Sequence, residues 1–255
     1  MGLSVVEYHQ GIYLKRNDLN EFGGCFGGKA ECVYNFISRS KVKEFVTCGS
    51  RDSLQCDIVS DMCEQMGYKC HIFVPLGGET PTTEKILKRK LTELHRIDKG
   101  YTVVIKSRAA KYAKQNGLTL IPFGMEHINA IETISNQVEN IPKDVKRVVV
   151  PVGGGITLCG VLKGLYKFNR RDMDVLGVMV GKEPYKLLKE FRPLIQGMSY
   201  KLVPYVDDVS PLKMYSMRTD YSVDDVKLDP IYEGKCYPFL QDGDLLWIVG
   251  YHEVN

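Results

Sequence analysis

Arg147-Val-Val-Val-Pro-Val-Gly-Gly-Gly-Ile-Thr157 decides the fold. Arg147 to Val152 is a continuous apolar run rich in β-branched residues, the pattern of a strand covered on both faces. It feeds three glycines, and Leu158 to Lys167 continues with helical spacing. Glycines let the backbone approach a ligand closely and turn its N–H groups inward. The helix N-terminus adds the positive end of its dipole and the Thr157 hydroxyl adds a donor, a combination that suits a phosphate. The loop is not of the Walker A type, because no Gly-Lys-Ser/Thr follows. Nor do Gly153, Gly155 and Thr157 have the G-x-G-x-x-G spacing of a dinucleotide site.

Outward from this junction, strands and helices alternate. Val42 to Thr47 reads as a strand, and Ser53 to Met66 as a helix that Gly67 ends with a left-handed cap. Cys70 to Val74 is a strand, Thr82 to Leu94 a helix, Tyr101 to Ile105 a strand, and Ser107 to Asn116 a helix stopped by Gly117. Leu118 to Ile121, His127 to Val138 and Val175 to Val180 read as strand, helix and strand. Such alternation implies parallel sheets with helices on both faces, an α/β fold.

Composition narrows the class. With 255 residues, 44% hydrophobic and 25% charged, the chain is neither disordered nor low in complexity. A net charge of +3 is too small to define a nucleic-acid binder. No apolar run approaches the roughly 20 residues of a membrane span, and no signal pattern opens the chain, so a cytoplasmic protein is expected. None of the eight cysteines lies in a C-x-x-C pair, which fits reduced thiols. His9, His71, His95, His127 and His252 are scattered without ligand spacing, and no metal is expected. Charge is uneven: between Glu79 and Asn116 stand ten basic and four acidic residues, a local +6. Lys85, Lys88 and Arg89 share the face of the expected helix. This is either a solvated face or a patch for a polyanion.

A second chemical signal is Lys15-Arg-Asn-Asp18 followed by Gly23-Gly24 and Gly27-Gly28-Lys29. Lys29 opens a helical stretch, where the dipole disfavours its cationic form and favours the neutral amine that Schiff-base chemistry needs. After it come Val46-Thr-Cys-Gly-Ser-Arg-Asp-Ser53, Ile121-Pro-Phe-Gly124, the glycine loop and Leu228-Asp-Pro-Ile-Tyr-Glu-Gly-Lys235. This order resembles the fold-type-II pyridoxal-phosphate enzymes, in particular the branch of 1-aminocyclopropane-1-carboxylate deaminase and D-cysteine desulfhydrase. The resemblance runs from about Gly11 to Gly250.

The resemblance implies that Lys29 forms a Schiff base with pyridoxal 5′-phosphate, that Gly153, Gly154, Gly155, Ile156 and Thr157 surround the phosphate, and that Ser53 lies near the substrate. Tyr232 would lie against the reacting carbon and Glu233 would hydrogen-bond the pyridine nitrogen. A carboxylate there keeps the ring protonated and able to accept an electron pair. A second tyrosine of the deaminase could be Tyr205 or Tyr215. Three departures stand out. Leu54 replaces the asparagine that normally follows the serine, Gly28 replaces another before the lysine, and the chain stops at Asn255 where the family continues with a further helix.

The expected architecture is two layered α/β domains with the cofactor in the cleft between them. Residues 1–37 and 126–255 would form the large cofactor-binding domain and 38–125 a small inserted one. The expected function is cleavage of a bond at Cα of an amino acid or amine, by a lyase or deaminase that forms a homodimer and needs no membrane. One alternative is a decarboxylase or modifier of an amino acid attached to nucleic acid, held through the basic segment 85–114. Another is a non-catalytic carrier of the cofactor, against which intact Lys29, Tyr232 and Glu233 argue.

Overall fold

A computed structural model describes residues 2–98 and 100–251; Lys99 of the basic segment and His252 lie outside the described residues. The chain divides into two compact units, Met1–Asn20 with Ile128–Asn255, and Glu21–His127.

The first unit is built on a six-stranded sheet in the order Val6–His9, Ile12–Arg16, Asp244–Ile248, Arg147–Val152, Asp174–Met179, Lys201–Pro204. Every neighbouring pair is parallel except the hairpin of the first two strands. Val148, Val149 and Val150 are fully buried in the middle of this sheet, as a strand covered on both faces requires. Trp247 and Leu246 of the adjacent strand are core residues too. The helix Ile156–Lys167 follows the glycine loop and packs against the helix Ile128–Asn136.

The second unit carries a four-stranded parallel sheet in the order Thr92–Ile97, Lys69–Pro75, Glu44–Cys48, Thr119–Leu120. Its longer helices are Gly28–Ser38, Leu54–Met66 and Thr102–Asn116, the last two closed by left-handed Gly67 and Gly117. Among the described residues no helix is long and apolar enough to cross a membrane. All eight cysteines are free and buried.

The structure departs from the sequence reading in three places. The helix expected over 82–94 ends at Leu87, and Thr92–Ile97 is an edge strand. Lys88 is the C-cap, and the Glu64 carboxylate accepts from the Lys90 and Leu91 N–H groups that a continued helix would need. Tyr101-Thr-Val-Val-Ile105 is β-branched and reads as a strand, yet it opens the helix Thr102–Asn116. Ile105, Ala109 and Ala113 are buried at a spacing of four, so tertiary packing overrides local propensity. Finally, the first boundary between units lies at 20/21 rather than 37/38, because the helix Gly28–Ser38 packs on Leu54–Met66. Lys29 therefore groups with Ser53 and not with Thr157.

Candidate active site

In the first unit, the buried strand hands the chain to Gly153 at its C-terminal end, where ligand sites of α/β sheets form. Gly155 caps the helix Ile156–Lys167 at φ 96°, and a Cβ there would come within 2.9 Å of Pro184 Cβ. No side chain caps this helix. Its first turn closes only at the Cys159 N–H, which donates to Gly155 O at 3.0 Å, and the N–H groups before it lack intrahelical acceptors. A Cβ on Gly153 would lie 3.1 Å from Tyr232 Cε1, while Gly154 has open space around it. The loop is thus a cradle of unspent donors with one wall formed by Tyr232.

Tyr232 enters a 3-10 turn over Glu233–Lys235. Buried Asp229 fixes that entry, accepting from the Ile231 and Tyr232 N–H groups at 2.8 Å each. The Tyr232 hydroxyl stands 3.1 Å from that of Tyr215, with the two rings edge to face, and burial pushes the Tyr232 phenol well above its ordinary range. Tyr215 is therefore the partner of Tyr232. Tyr205, the other candidate, packs against the core around Ile12 and Leu14.

Glu233 is buried to 1% exposure. Its Oε1 accepts from the Val249 N–H at 2.7 Å, and among the described residues its Oε2 is buried with no hydrogen-bond partner. Burial, with Asp229 close by, pushes the carboxyl well above the usual carboxylate range. Lys235 is a residue to which sequence reading gave no role. Fully buried, it donates from Nζ to Met214 O at 2.7 Å and Tyr215 O at 3.3 Å, and burial lowers its amine to about 8. It ties the segment carrying Tyr215 to the turn carrying Tyr232. The only signal for it was its place at the end of the Asp-Pro-Ile-Tyr-Glu-Gly-Lys run.

In the second unit, Gly27 at φ 103° turns the chain into the helix Gly28–Ser38, whose second residue is Lys29. Among the described residues no hydrogen bond or ion pair holds the Lys29 amine, and burial pulls its pKa below the ordinary lysine range, against the opposing pull of Cys32 and Cys56. Ser53 is the N-cap of the helix Leu54–Met66. Its Oγ accepts from the Cys56 N–H at 3.4 Å and also bonds the Cys56 thiol, drawing that pKa down against the upward push of burial. Leu54 begins the helix, and the amide that follows at Gln55 faces the sheet, donating from Nε2 to Thr47 Oγ1 at 3.0 Å and Pro122 O at 2.7 Å. Gln55 Oε1 is buried without a partner.

The basic segment is not one face. The helix stops before Lys88 and Arg89. Arg89 pairs with Asp57 at 2.7 Å and Asp61 at 3.6 Å, Arg96 pairs with Glu79, and Lys106 pairs with Glu126 at 2.9 Å. Arg89, Arg96 and Lys106 are thus tied to carboxylates.

Comparison with known proteins bears on both units. A family profile described as pyridoxal-phosphate dependent enzyme matches residues 3–224. The 1-aminocyclopropane-1-carboxylate deaminase of Cyberlindnera saturnus is 22% identical over 267 residues, which span 88% of this chain and 78% of that protein. Among solved structures, a homologue of that deaminase superposes with a TM-score of 0.80 at 18% identity, covering 98% of this chain and 90% of the other. The processed form of threonine deaminase isoform 2 from Solanum lycopersicum gives 0.68 at 15% identity, covering 98% and 84%. These structural likenesses establish a shared fold of the second type of pyridoxal-phosphate enzymes.

Proposed function

The chain belongs to the pyridoxal-phosphate dependent enzyme family, and from that premise we propose that it cleaves a bond at Cα of a free amino acid or amine with release of ammonia. The observation that carries this reading is the unpartnered, buried Oε2 of Glu233. A buried acceptor without a donor is costly, and the N–H of a protonated pyridine ring removes that cost. The uncapped glycine loop supplies what the other end of the same cofactor requires, since backbone N–H groups at a helix N-terminus suit a phosphate dianion. Glu233 and the glycine loop, both of the first unit, therefore fit pyridoxal phosphate.

When bound, the cofactor supplies an electron sink for the pair left at Cα. The chain's own groups do the rest. Lys29, its amine lowered by burial, is more often neutral near pH 7 than a surface lysine and can attach the cofactor and exchange a proton at Cα. Glu233 Oε2 would hold the ring nitrogen. The Tyr232 hydroxyl, kept protonated by burial and bonded to Tyr215, can deliver a proton to a departing or developing carbanion. Ser53, at the N-cap of its helix, places a hydroxyl that can orient a substrate carboxylate.

The deaminases among the relatives support ammonia as the product. The test is to incubate the purified enzyme with a panel of free amino acids that includes 1-aminocyclopropane-1-carboxylate, and to measure ammonia and 2-oxo acid together. Equimolar ammonia and oxo acid from at least one of them is the expected result. Carbon dioxide without ammonia would overturn deamination in favour of decarboxylation.

A further inference from the structure

His71, Glu93 and His95 lie outside every residue assigned so far, and they converge. His71 sits on the strand Lys69–Pro75, and Glu93 and His95 on the edge strand Thr92–Ile97. The parallel register sets His71 opposite Glu93 and Phe73 opposite His95. Alternation along each strand puts residues 71, 73, 93 and 95 on one face of the sheet. The 24-residue separation of the histidines hides this neighbourhood from any search for ligand spacing.

We propose that His71, Glu93 and His95 form a binding site for a divalent transition-metal ion, zinc above all. His71 Nδ1 is 3.1 Å from His95 Nε2 and 3.4 Å from a Glu93 carboxylate oxygen, and His95 Nε2 is 3.5 Å from the other. Two ligand atoms at zinc-bond lengths on neighbouring corners of a tetrahedron stand about 3.3 Å apart. The first two separations match that edge, and the carboxylate reaches His95 through its second oxygen, so all three groups lie close enough to share one ion. The donor set, two imidazoles and a carboxylate, is one that zinc accepts, and three protein ligands leave a fourth position.

The surroundings are arranged for the same purpose. His71 Nε2 lies 2.9 Å from a Glu44 carboxylate oxygen. A His71 that donates there turns its Nδ1 lone pair to the side where the Glu93 carboxylate and His95 Nε2 lie, so a cation bound among them meets donor atoms from all three residues. A carboxylate behind a ligating histidine is the usual outer partner of such a ligand, fixing its tautomer and ring orientation. Phe73 stacks on His95 with centroids 4.4 Å apart, which fixes the second imidazole. The Tyr112 hydroxyl, 3.3 Å from His71 Nδ1, or a water can take the fourth position. The Glu93 side chain is 64% exposed and the His95 side chain 20%, so an ion reaches the site from solvent.

The test uses the full-length holoenzyme, dialysed against a chelator and titrated with zinc chloride by calorimetry. One equivalent is expected to bind. Cobalt(II) in its place should give visible d–d bands without a thiolate charge-transfer band, which separates this site from the buried cysteines. Glu93→Gln alters an exposed side chain and leaves the sheet intact, and it should weaken zinc at least tenfold. Glu44→Gln acts only through the orientation of His71 and should cost ~10-fold. No binding to the wild-type holoenzyme would overturn the site and leave a charged His71 paired with Glu44 and Glu93. Equal affinity in Glu93→Gln and His95→Ala, or a thiolate band with cobalt, would overturn it as well.

Discussion

Glu233 has one oxygen satisfied and one not, and the difference sets what its replacement does. The Val249 N–H holds Oε1 and so fixes the side chain whatever occupies the other oxygen. An unpaired buried acceptor costs about 1–3 kcal/mol, which is the stabilisation a bound ring N–H recovers. Glu233→Gln keeps the shape and removes the acid. It is expected to retain the cofactor, seen in its absorbance, while turnover falls about a hundredfold, equivalent to about 2.7 kcal/mol of lost transition-state stabilisation. Unchanged turnover would mean that another group holds the ring nitrogen. Lys29 is tested separately. Borohydride should fix a pyridoxyl group to Lys29 in the wild type, and mass spectrometry should find none in Lys29→Ala, although the glycine loop still binds the phosphate. At this scale the motif order makes Lys29, Ser53, Tyr232 and Glu233 legible as candidates. Tyr215 is legible only as one of two, because choosing it requires knowing that Tyr205 faces the core. Lys235 is marked in sequence only by its place at the end of the Asp-Pro-Ile-Tyr-Glu-Gly-Lys run. A buried lysine bonded to two carbonyls looks in sequence like any surface cation.

The strand–glycine–helix junction is the element whose reading transfers best from sequence to structure, since a buried parallel strand leaves little freedom in composition. Edge elements transfer worst. Thr92–Ile97 has one partner strand only, and Tyr101 to Ile105 carries β-branched residues inside a helix, so in both the local signal was outvoted by packing that no window of sequence contains. Within the junction, two glycines should respond differently to substitution. Gly155 lies at φ 96° with Pro184 2.9 Å from where a Cβ would be, so Gly155→Ala strains the backbone and lowers stability by about 1–3 kcal/mol. Gly153 has no such φ, and an added Cβ meets only the Tyr232 ring at 3.1 Å. Gly153→Ala should leave thermal unfolding nearly unchanged and reduce turnover by about tenfold through displacement of that ring. Thermal melts and turnover measured on both variants check this. A Gly153→Ala protein that melts as early as Gly155→Ala would mean that the loop is structural rather than a ligand cradle.

Across the whole molecule, the largest store of perturbed ionisation is the set of buried thiols. Burial pushes seven of the eight upward: Cys25, Cys56 and Cys159 to about 12, Cys48 to about 11, and Cys32, Cys70 and Cys236 well above the ordinary thiol range. The folded chain then keeps these protons while the unfolded chain loses them near pKa ~8.5, so their contribution is complete below that pH and is lost as pH rises through the folded values. Lys29 and Lys235 act in the opposite direction. Their folded pKa values are lowered, Lys235 to about 8, so the unfolded chain holds the extra proton between the folded value and the usual lysine range, and stability rises with pH across that window. Both effects operate around pH ~9–10, where each proton of difference changes stability by about 1.4 kcal/mol per pH unit. Seven thiols against two amines decide the sign, and attachment of the cofactor at Lys29 would remove one of the amines. The midpoint of urea unfolding, measured in reductant, should therefore fall steeply between about pH 8 and about pH 10. A midpoint that rises over the same interval would show that the amines dominate and that the cysteines are less shielded than their burial implies.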